Sequence, residues 1–266
     1  MALTADILCD IALKAGALIM EIYETDFDVE TKGDSSPVTE ADERAERLIL
    51  GALAEADPTL PVIAEESVAA GNIPNHGHRF ALVDPLDGTK EFVNKRGEFT
   101  VNIAIIEMGK PAMGVVYAPA LSRLFVGEGP GQAWQAEVSP GAPVPPPEAR
   151  SPMAVRPCPD IGLTAIASKS HRSPETDAFL EKFNTAEIIS AGSSLKFCLV
   201  AAGEADLYPR MGRTMEWDTA AGQAVAEAAG GHVLLEGGYP LLYGKAHRGY
   251  DNPYFIVYGD VTPPAP

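Results

Sequence analysis

The segment at 84–89, Asp-Pro-Leu-Asp-Gly-Thr, places two carboxylates three positions apart, directly after the apolar run at 80–83. Pro85 fixes its own φ and restricts Asp84 to an extended backbone, and Asp87-Gly88 favours a tight turn. Hard cations such as Mg²⁺ prefer carboxylate and carbonyl oxygens. The segment therefore predicts either a divalent metal site at a strand end or an acidic turn whose side chains cap their own backbone.

Three other acidic segments have the same double interpretation. Glu65-Glu66-Ser67 follows the apolar triplet at 62–64, and Thr39-Glu40-Ala41-Asp42 fits the capping-box pattern of a helix start. Asp218, after Trp217, opens a small-residue helix and is a natural N-cap. Taken singly, these residues are typical of a solvated loop and two helix caps; taken together, they could turn four carboxylates into one cleft.

Hydroxyl and cationic side chains follow in the second half of the chain. Gly192-Ser193-Ser194-Leu195-Lys196 opens a helix, whose backbone N–H groups favour anions. Arg210 follows Tyr208-Pro209, and arginine is suited to bidentate phosphate binding. His171, in the run Ser-Lys-Ser-His at 168–171, is a further candidate phosphate contact. The structural alternatives are a routine helix cap and isolated surface cations.

Several other site types are excluded by their missing patterns. The chain has no phosphate-binding loop of the G-x-x-x-x-G-K-[ST] type, because Gly244-Lys245 is followed by Ala246. It has no G-x-S-x-G nucleophile elbow, no calcium loop of the EF-hand type and no H-E-x-x-H helix. These four site types are therefore not expected in this chain.

Composition narrows the class of protein further. The 266 residues carry a formal net charge of −17, which argues against a nucleic acid polymer as partner. The three cysteines show no metal-binding spacing, and their number is odd. Free thiols in a reducing compartment are therefore expected. Neither a signal peptide nor an apolar run of about 20 residues is present, so we expect no integral membrane segment. The expected location is the cytoplasm.

The first half of the chain predicts helices followed by hairpin strands, the elements that must position these residues. A helix is indicated over 7–22 by apolar residues at helical spacing, and a second helix from Thr39 until the prolines at 58 and 61. The predicted strands are 62–64, 80–83, 100–106, 114–117, 124–126 and 133–136.

The second half alternates more regularly between strands and helices. Strands are predicted at 163–167, 187–191, 205–208 and 255–258, and helices at 174–183, 194–202 and 218–229. The proline-rich segment at 139–159 is the best candidate boundary. It divides an N-terminal α+β part, 1–150, carrying most of the metal ligands, from a C-terminal α/β part, 151–266, carrying the substrate contacts and the last ligand.

The four acidic motifs, in this order, resemble the lithium-sensitive, magnesium-dependent phosphatase superfamily that includes inositol monophosphatase. They are T-E-A-D at 39–42, E-E-S at 65–67, D-P-L-D-G-T at 84–89 and W-D-T-A-A at 217–221. Within that superfamily the chain looks most like the 3′(2′),5′-bisphosphate nucleotidases of the CysQ type. The stretches that carry this likeness are 87–92, 97–104, 192–198 and 206–210.

The resemblance implies a layered α/β/α/β/α sandwich of the inositol monophosphatase and fructose-1,6-bisphosphatase type. It implies conversion of adenosine 3′,5′-bisphosphate to AMP and phosphate in sulfur assimilation, with two or three Mg²⁺ ions and inhibition by Li⁺. Some relatives are described as loosely membrane-associated, so peripheral binding at the inner face of the membrane is left open, as is a homodimer.

The resemblance also assigns roles to residues of this chain. It implies metal ligation by Glu65, Asp84, the Leu86 carbonyl, Asp87 and Asp218, and activation of the attacking water by Asp42 and Thr89 with the metal at Glu65. It implies substrate contacts from Gly88, Thr89, His171, Ser193, Lys196, Arg210 and the Asp218 region.

Two other functions stay open on the sequence. Lys196 and Arg210 fit any doubly phosphorylated ligand, so inositol phosphate and fructose 1,6-bisphosphate are alternative substrates. A non-catalytic cation-binding protein with the same fold is a third possibility, because a fold does not determine function. The presence of both Asp42 and Thr89 favours catalysis over that third possibility.

Overall fold

The computed structural model describes residues 3–25, 29–31, 37–167 and 173–264. The seven α-helices of these residues are α1 (Ala5–Tyr23), α2 (Glu40–Ala56), α3 (Glu65–Ala69), α4 (Thr89–Val93), α5 (Pro174–Leu180), α6 (Leu195–Ala201) and α7 (Glu216–Ala228). Within the described ranges, no helix is long and apolar enough to cross a bilayer.

The strands are numbered in chain order. The first seven are β1 (Val29–Thr31), β2 (Pro37–Thr39), β3 (Val62–Ala64), β4 (Arg79–Asp87), β5 (Thr100–Glu107), β6 (Lys110–Ala118) and β7 (Arg123–Gly127). The others are β8 (Ala133–Glu137), β9 (Ser151–Pro152), β10 (Leu163–Ile166), β11 (Thr185–Ile189), β12 (Leu207–Arg210), β13 (His232–Leu235) and β14 (Phe255–Tyr258).

Two large sheets organise the molecule. The seven-stranded sheet has the order β3-β4-β5-β6-β7-β8-β9 and is antiparallel except for the parallel pair β3–β4. The five-stranded sheet has the order β11-β10-β12-β14-β13, with parallel pairs at β10–β11 and β10–β12. A short antiparallel hairpin, β1–β2, precedes α2.

Helices cover both sheets and make five layers. Helices α1 and α2 pack on one face of the seven-stranded sheet, against β6 and β4, and α7 packs on the other face, against β5 and β6. Helices α6 and α7 also contact the five-stranded sheet, whose outer face is covered by α5. The layered α/β/α/β/α sandwich is therefore confirmed.

Alternating side chains in the strands supply the cores between these layers. In β4, Phe80 and Leu82 face the core shared with α6 and α7, whereas Ala81 and Val83 face the core under α1 and α2. In β14, Phe255 and Val257 point to the central core and Ile256 to the outer one. This period of two is expected for strands that are buried on both faces.

Helix α7 approaches the seven-stranded sheet closely because glycines face it. A Cβ at Gly114 would lie 2.6 Å from the Ala224 Cβ, and a Cβ at Gly127 would lie 2.4 Å from the Ala224 carbonyl oxygen. Any larger residue at either position would have to displace the helix. The position of α7, and of the residues at its start, thus depends on these two glycines.

Most predicted elements are present, but α4 and the short strands β1, β2 and β9 were not predicted, and other elements differ as well. Residues 65–69 form the helix α3, where only a strand end was expected, and β13 was not predicted. The helix predicted over 174–183 ends at Leu180 as α5. The division at 150 stays a prediction: β9 at 151–152 pairs with β8 in the N-terminal sheet, and α7 packs against that sheet.

Candidate active site

A bulge at the end of β4 displays the two aspartates of the Asp-Pro motif. Asp84 pairs with Asn102 and Asp87 with Thr100, so β4 has one more residue than β5 between these pairs. Pro85 lies in that interval, where it has no N–H to offer to the sheet. The Asp84 carboxylate is buried, 1% exposed, and accepts the Leu86 N–H at 3.0 Å. This bulge explains how the two aspartates are placed at the end of the strand.

Asp42 lies in the first turn of α2 and joins a helix cap to the motif at β4. Its Oδ2 accepts the Thr39 N–H at 2.8 Å and the Thr39 hydroxyl at 2.7 Å, which completes the predicted capping box. Its Oδ1 lies 3.2 Å from Thr89 Oγ1, at the start of α4. The cap therefore leaves the second carboxylate oxygen of Asp42 directed towards Thr89.

Glu65 is the first residue of α3, directly after β3. The next two residues of α3, Glu66 and Ser67, donate their backbone N–H groups to the carboxylate of Glu46 in α2, at 2.7 and 2.8 Å. Glu46 was not singled out in the sequence. Its signal is the spacing of four from Asp42, which puts both residues on one helix face.

Asp218 lies at the start of α7 but is not its N-cap, so that part of the sequence interpretation is wrong. The N-cap is Met215, and Asp218 is the third helical residue, whose Oδ2 accepts the Met215 N–H at 2.8 Å. The carboxylate folds back over the helix start, which is where a negative charge is stabilised.

The four acidic segments converge in space. One carboxylate oxygen each from Glu65, Asp84 and Asp218 lies within 4.8 Å of the others. Glu65, Asp87 and Asp218 line one pocket with a cavity volume of about 290 Å³. Residues from three separate elements, β4, α3 and α7, thus form one acidic wall.

The surroundings of Asp218 and Asp87 disfavour the charged forms of these two carboxylates when no cation is present. The pKa of Asp218 lies well above its ordinary value, because burial removes water and because the Asp87 and Glu65 carboxylates repel its charge. Burial also raises the pKa of Asp87, against the opposing effect of the Lys196 ammonium.

This arrangement fits a divalent cation. Several carboxylates held close together by protein hydrogen bonds repel each other unless a positive charge lies between them. Oxygen ligands are the donor set that Mg²⁺ and related hard cations prefer. Glu65, Asp84 and Asp218 would hold such an ion. Asp87, predicted as a ligand, lines the same pocket. The Leu86 carbonyl, also predicted as a ligand, accepts the Thr89 hydroxyl at 3.3 Å in this structure.

Cationic side chains line the same pocket. Lys196, 6% exposed, donates to the Ala191 carbonyl at 3.3 Å, and burial lowers its pKa to about 8. Arg210 donates one Nη2 hydrogen bond to the Arg213 carbonyl at 3.1 Å, whereas its buried Nε has no hydrogen-bond partner among the residues that the structure describes. An anionic ligand in the pocket would give Arg210 the missing acceptor.

The remaining predicted residues fall into two groups. Gly88, Thr89 and Ser193 line the pocket, and Gly88, the N-cap of α4, has a left-handed φ of 94°, which glycine adopts without steric cost. Ser193 also has a positive φ, 42°, and donates its hydroxyl to the Glu98 carbonyl at 3.1 Å. His171, the last predicted substrate contact, lies outside the described residues.

Ser194 lies between the site residues, although the sequence did not single it out. Its hydroxyl lies 3.0 Å from Asp87 Oδ2 and 2.7 Å from the Asp218 carbonyl oxygen, and it accepts the Asn102 amide at 3.0 Å. These contacts join the ends of β4, α6 and α7. The adjacent Ser193 and Ser194 gave no local signal to separate their roles.

The fold and the site define a class: a five-layered α/β protein whose carboxylates line a pocket together with the cationic side chains of Lys90, Lys196 and Arg210. The sequence model of the inositol monophosphatase family matches residues 2–253. The chain belongs to this family.

Relatives and solved structures agree with that membership. The 3′(2′),5′-bisphosphate nucleotidase CysQ of Escherichia coli K12 is 44% identical over 254 residues, 95% of this chain and 98% of its own length. The CysQ of Salmonella typhimurium is 46% identical over 252 residues, 94% and 97% of the two chains.

Among crystal structures, CysQ from Bacteroides thetaiotaomicron superposes with a TM-score of 0.82 at 39% identity, covering 97% of each chain. An inositol monophosphatase from Thermotoga maritima superposes with a TM-score of 0.73 at 26% identity, covering 96% of this chain and 91% of its own.

Proposed function

We propose that this protein hydrolyses the 3′-phosphate of adenosine 3′,5′-bisphosphate, giving AMP and inorganic phosphate, in the manner of the bisphosphate nucleotidases that it resembles. The observation that carries the proposal is the acidic cluster of Glu65, Asp84 and Asp218, which lies within one pocket's reach of Lys196 and Arg210. The carboxylates suit metal cations, and the side chains of Lys196 and Arg210 suit phosphate.

The chemical step is in-line attack of water on phosphorus, with cleavage of the bond to the nucleoside oxygen. In our proposal the water gives its proton by way of Thr89 Oγ1 to Asp42, and the 3.2 Å hydrogen bond from Thr89 Oγ1 to Asp42 Oδ1 supports that path. Asp42 acts as general base, and the leaving oxygen takes up a proton from solvent.

Glu65, Asp84, Asp87, Asp218 and the Leu86 carbonyl are the proposed ligands of two or three Mg²⁺ ions. When bound, such ions lower the pKa of the attacking water and stabilise negative charge on the leaving oxygen. The raised pKa of Asp218 in the metal-free chain supports this assignment, because a nearby cation would relieve the repulsion that raises it.

The second phosphate and the nucleoside are assigned to the cationic wall. Lys196 and Arg210 would hold the phosphate that is not cleaved, with Ser193 beside them and the N–H groups of Gly88 and Thr89 on the reacting phosphate. The unpartnered Nε of Arg210 supports an anionic ligand at this place. His171 stays a predicted contact.

Phosphate release tests the proposal. Purified protein in Mg²⁺ is compared on adenosine 3′,5′-bisphosphate, inositol 1-phosphate and fructose 1,6-bisphosphate, each with and without Li⁺. We expect fastest release from the nucleotide, loss of release in EDTA and inhibition by Li⁺. Faster release from inositol 1-phosphate would make the protein an inositol monophosphatase, and no release from any substrate would favour a cation-binding role.

A cytoplasmic location accompanies the proposal and stays a prediction, whereas peripheral attachment to the inner face of the membrane and a homodimer are left open.

A further inference from the structure

Glu46 is a buried carboxylate outside the pocket. It lies in the middle of α2, is 4% exposed, and follows Asp42 by four residues. Residues with this spacing point to the same side of a helix. Helix α2 therefore presents two carboxylates towards the site, Asp42 to Thr89 and Glu46 to α3.

The contacts of Glu46 are those of a helix cap. Its Oε2 accepts the Glu66 N–H at 2.7 Å, and its Oε1 accepts the Ser67 N–H at 2.8 Å and the Ser67 hydroxyl at 2.6 Å. The N-cap residue of α3, Ala64, provides no side-chain acceptor of its own. Because the first N–H groups of a helix have no partner within it, Glu46 caps α3 from another helix.

The capped turn is the one that carries a predicted metal ligand. Glu65 opens α3, and its carboxylate lies within 4.8 Å of those of Asp84 and Asp218. A helix of five residues has little stability of its own. The direction of Glu65 is therefore set by what holds the first turn of α3, which includes Glu46.

We propose that Glu46 is a positioning residue of the metal site: by capping α3 it holds the Glu65 carboxylate in reach of a divalent cation. The inference rests on the proposed role of the Glu65, Asp84 and Asp218 cluster in metal binding, and deepens it. Groups that orient metal ligands without touching the ion typically contribute about 10- to 100-fold in metal affinity or activity.

The substitution Glu46→Gln tests this with little change in volume. An amide keeps one oxygen for Ser67 but turns an NH₂ group towards the Glu66 N–H, so two donors face each other. The matched control is Ile49→Val, fully buried in the same helix, which lowers stability by about 0.5–1.5 kcal/mol and removes none of the Glu46 hydrogen bonds to α3.

Binding of Mn²⁺, which accepts the same oxygen ligands as Mg²⁺, is measured on the full chain by electron paramagnetic resonance. We expect Glu46→Gln to weaken binding about 10- to 100-fold, in the same direction as Glu65→Gln, and Ile49→Val to bind as wild type. Equal Mn²⁺ affinity in wild type and a folded Glu46→Gln variant would overturn the proposal.

Steady-state kinetics provide a second readout. In Glu46→Gln the kcat for adenosine 3′,5′-bisphosphate should fall at low Mg²⁺ and recover at high Mg²⁺, with KM for the nucleotide unchanged. A purely structural defect would not be restored by the metal. Should Glu46→Gln fail to fold, Ser67→Ala removes one of the three hydrogen bonds from the other side, and wild-type Mn²⁺ affinity in that variant would also overturn the proposal.

The two levels of inference can fail separately. Wild-type protein that binds Mn²⁺ but releases no phosphate from any substrate would contradict the proposed function and leave the role of Glu46 standing. Active wild-type protein, together with a Glu46→Gln variant of unchanged Mn²⁺ affinity, would contradict the role of Glu46 and leave the proposed function standing.

Discussion

Thr89 Oγ1 lies 3.2 Å from Asp42 Oδ1, although the two residues are 47 positions apart and belong to different helices. The contact exists because Asp42 Oδ2 is held by the backbone and hydroxyl of Thr39, which leaves Oδ1 for Thr89. A structural cap and the proposed proton path thus use opposite sides of one carboxylate.

Removing the Thr89 hydroxyl should interrupt that path. Thr89→Val keeps the shape of the side chain, so we expect an intact fold, an unchanged KM and a kcat lower by about 10²–10⁴-fold, the contribution typical of a general base. Thr89→Ser keeps the hydroxyl and serves as the control. The measurement is phosphate release from adenosine 3′,5′-bisphosphate at saturating Mg²⁺. A Thr89→Val variant as fast as Thr89→Ser would exclude the relay.

Metal binding should change how stability depends on pH. The folded pKa of Asp218 is raised, so its protonated form stabilises the metal-free chain below the ordinary Asp value of about 3.9, and this stability is lost as pH rises through the folded pKa. A divalent ion stabilises the charged ligands instead. The increase in Tm on replacing EDTA with Mg²⁺ should therefore grow with pH.

Thermal unfolding at several pH values between about 5 and 8, where proteins are commonly most stable, measures this increase. The variant Asp218→Asn, which cannot ionise at that position, should show a smaller and flatter effect of Mg²⁺. A shift in Tm that is the same at every pH would contradict the assignment of Asp218 as a ligand.

Substrate choice should depend on Lys196. Lys196→Gln removes the buried cation from the pocket, and a hydrogen bond to a charged group contributes about 1.5–3 kcal/mol. We expect kcat/KM for adenosine 3′,5′-bisphosphate to fall roughly 10- to 100-fold, with a smaller loss for inositol 1-phosphate, which has no second phosphate. The exposed Lys182, changed to Gln, is the control.

Mg²⁺ must be saturating in this comparison, because Lys196 also lowers the pKa of Asp87. Equal losses on both substrates would assign Lys196 to the acidic cluster rather than to the second phosphate.

The sequence predicted those parts of the site that depend on local pattern. The capping box at Thr39 and the strand before Asp84 follow from neighbouring residues, and the convergence of the four motifs followed from the family resemblance. Helix α3 could not be predicted in this way, because its cap is Glu46, 20 positions before Glu66.

The same reason explains two other differences. Ser194 bridges the Asp87 carboxylate and the Asp218 backbone, contacts that span 107 and 24 residues. The start of α7 was displaced because Asp218 caps it from the third helical position rather than from the N-cap. Local propensity finds a helix and its acidic cap, but tertiary contacts decide which residue begins it.

The loop that contains Gly244 and Lys245 should lose its attachment to α7 if the Glu216 side chain is removed. Glu216 is fully buried and accepts the N–H groups of Gly244 and Lys245, each at 2.7 Å, and its Oε1 lies 2.8 Å from Lys245 Nζ. Breaking such a buried pair typically lowers the free energy of unfolding by about 3–5 kcal/mol. We expect a loss of this size in Glu216→Ala by urea unfolding in EDTA.

The exposed Glu236, changed to Ala, should lie within about 0.5 kcal/mol of wild type, as surface substitutions usually do. A Glu216→Ala variant as stable as Glu236→Ala would show that the loop is held by its other contacts.

Two glycines should respond to alanine in opposite directions. Gly51 lies in α2 with no atom within 4 Å of an added Cβ, so Gly51→Ala should stabilise the protein by about 0.5–1 kcal/mol through helix propensity. At Gly127 the added Cβ would lie 2.4 Å from the Ala224 carbonyl oxygen, an overlap that typically lowers stability by about 1–3 kcal/mol.

The overlap at Gly127 should also reach the metal site, because α7 must move away from the sheet and Asp218 moves with it. We therefore expect Gly127→Ala to lower both the free energy of unfolding and the affinity for Mn²⁺, and Gly51→Ala to raise the first and leave the second unchanged. Urea unfolding and electron paramagnetic resonance measure the two quantities. Since both substitutions add the same methyl group, a common response would contradict the close packing of α7 on β7.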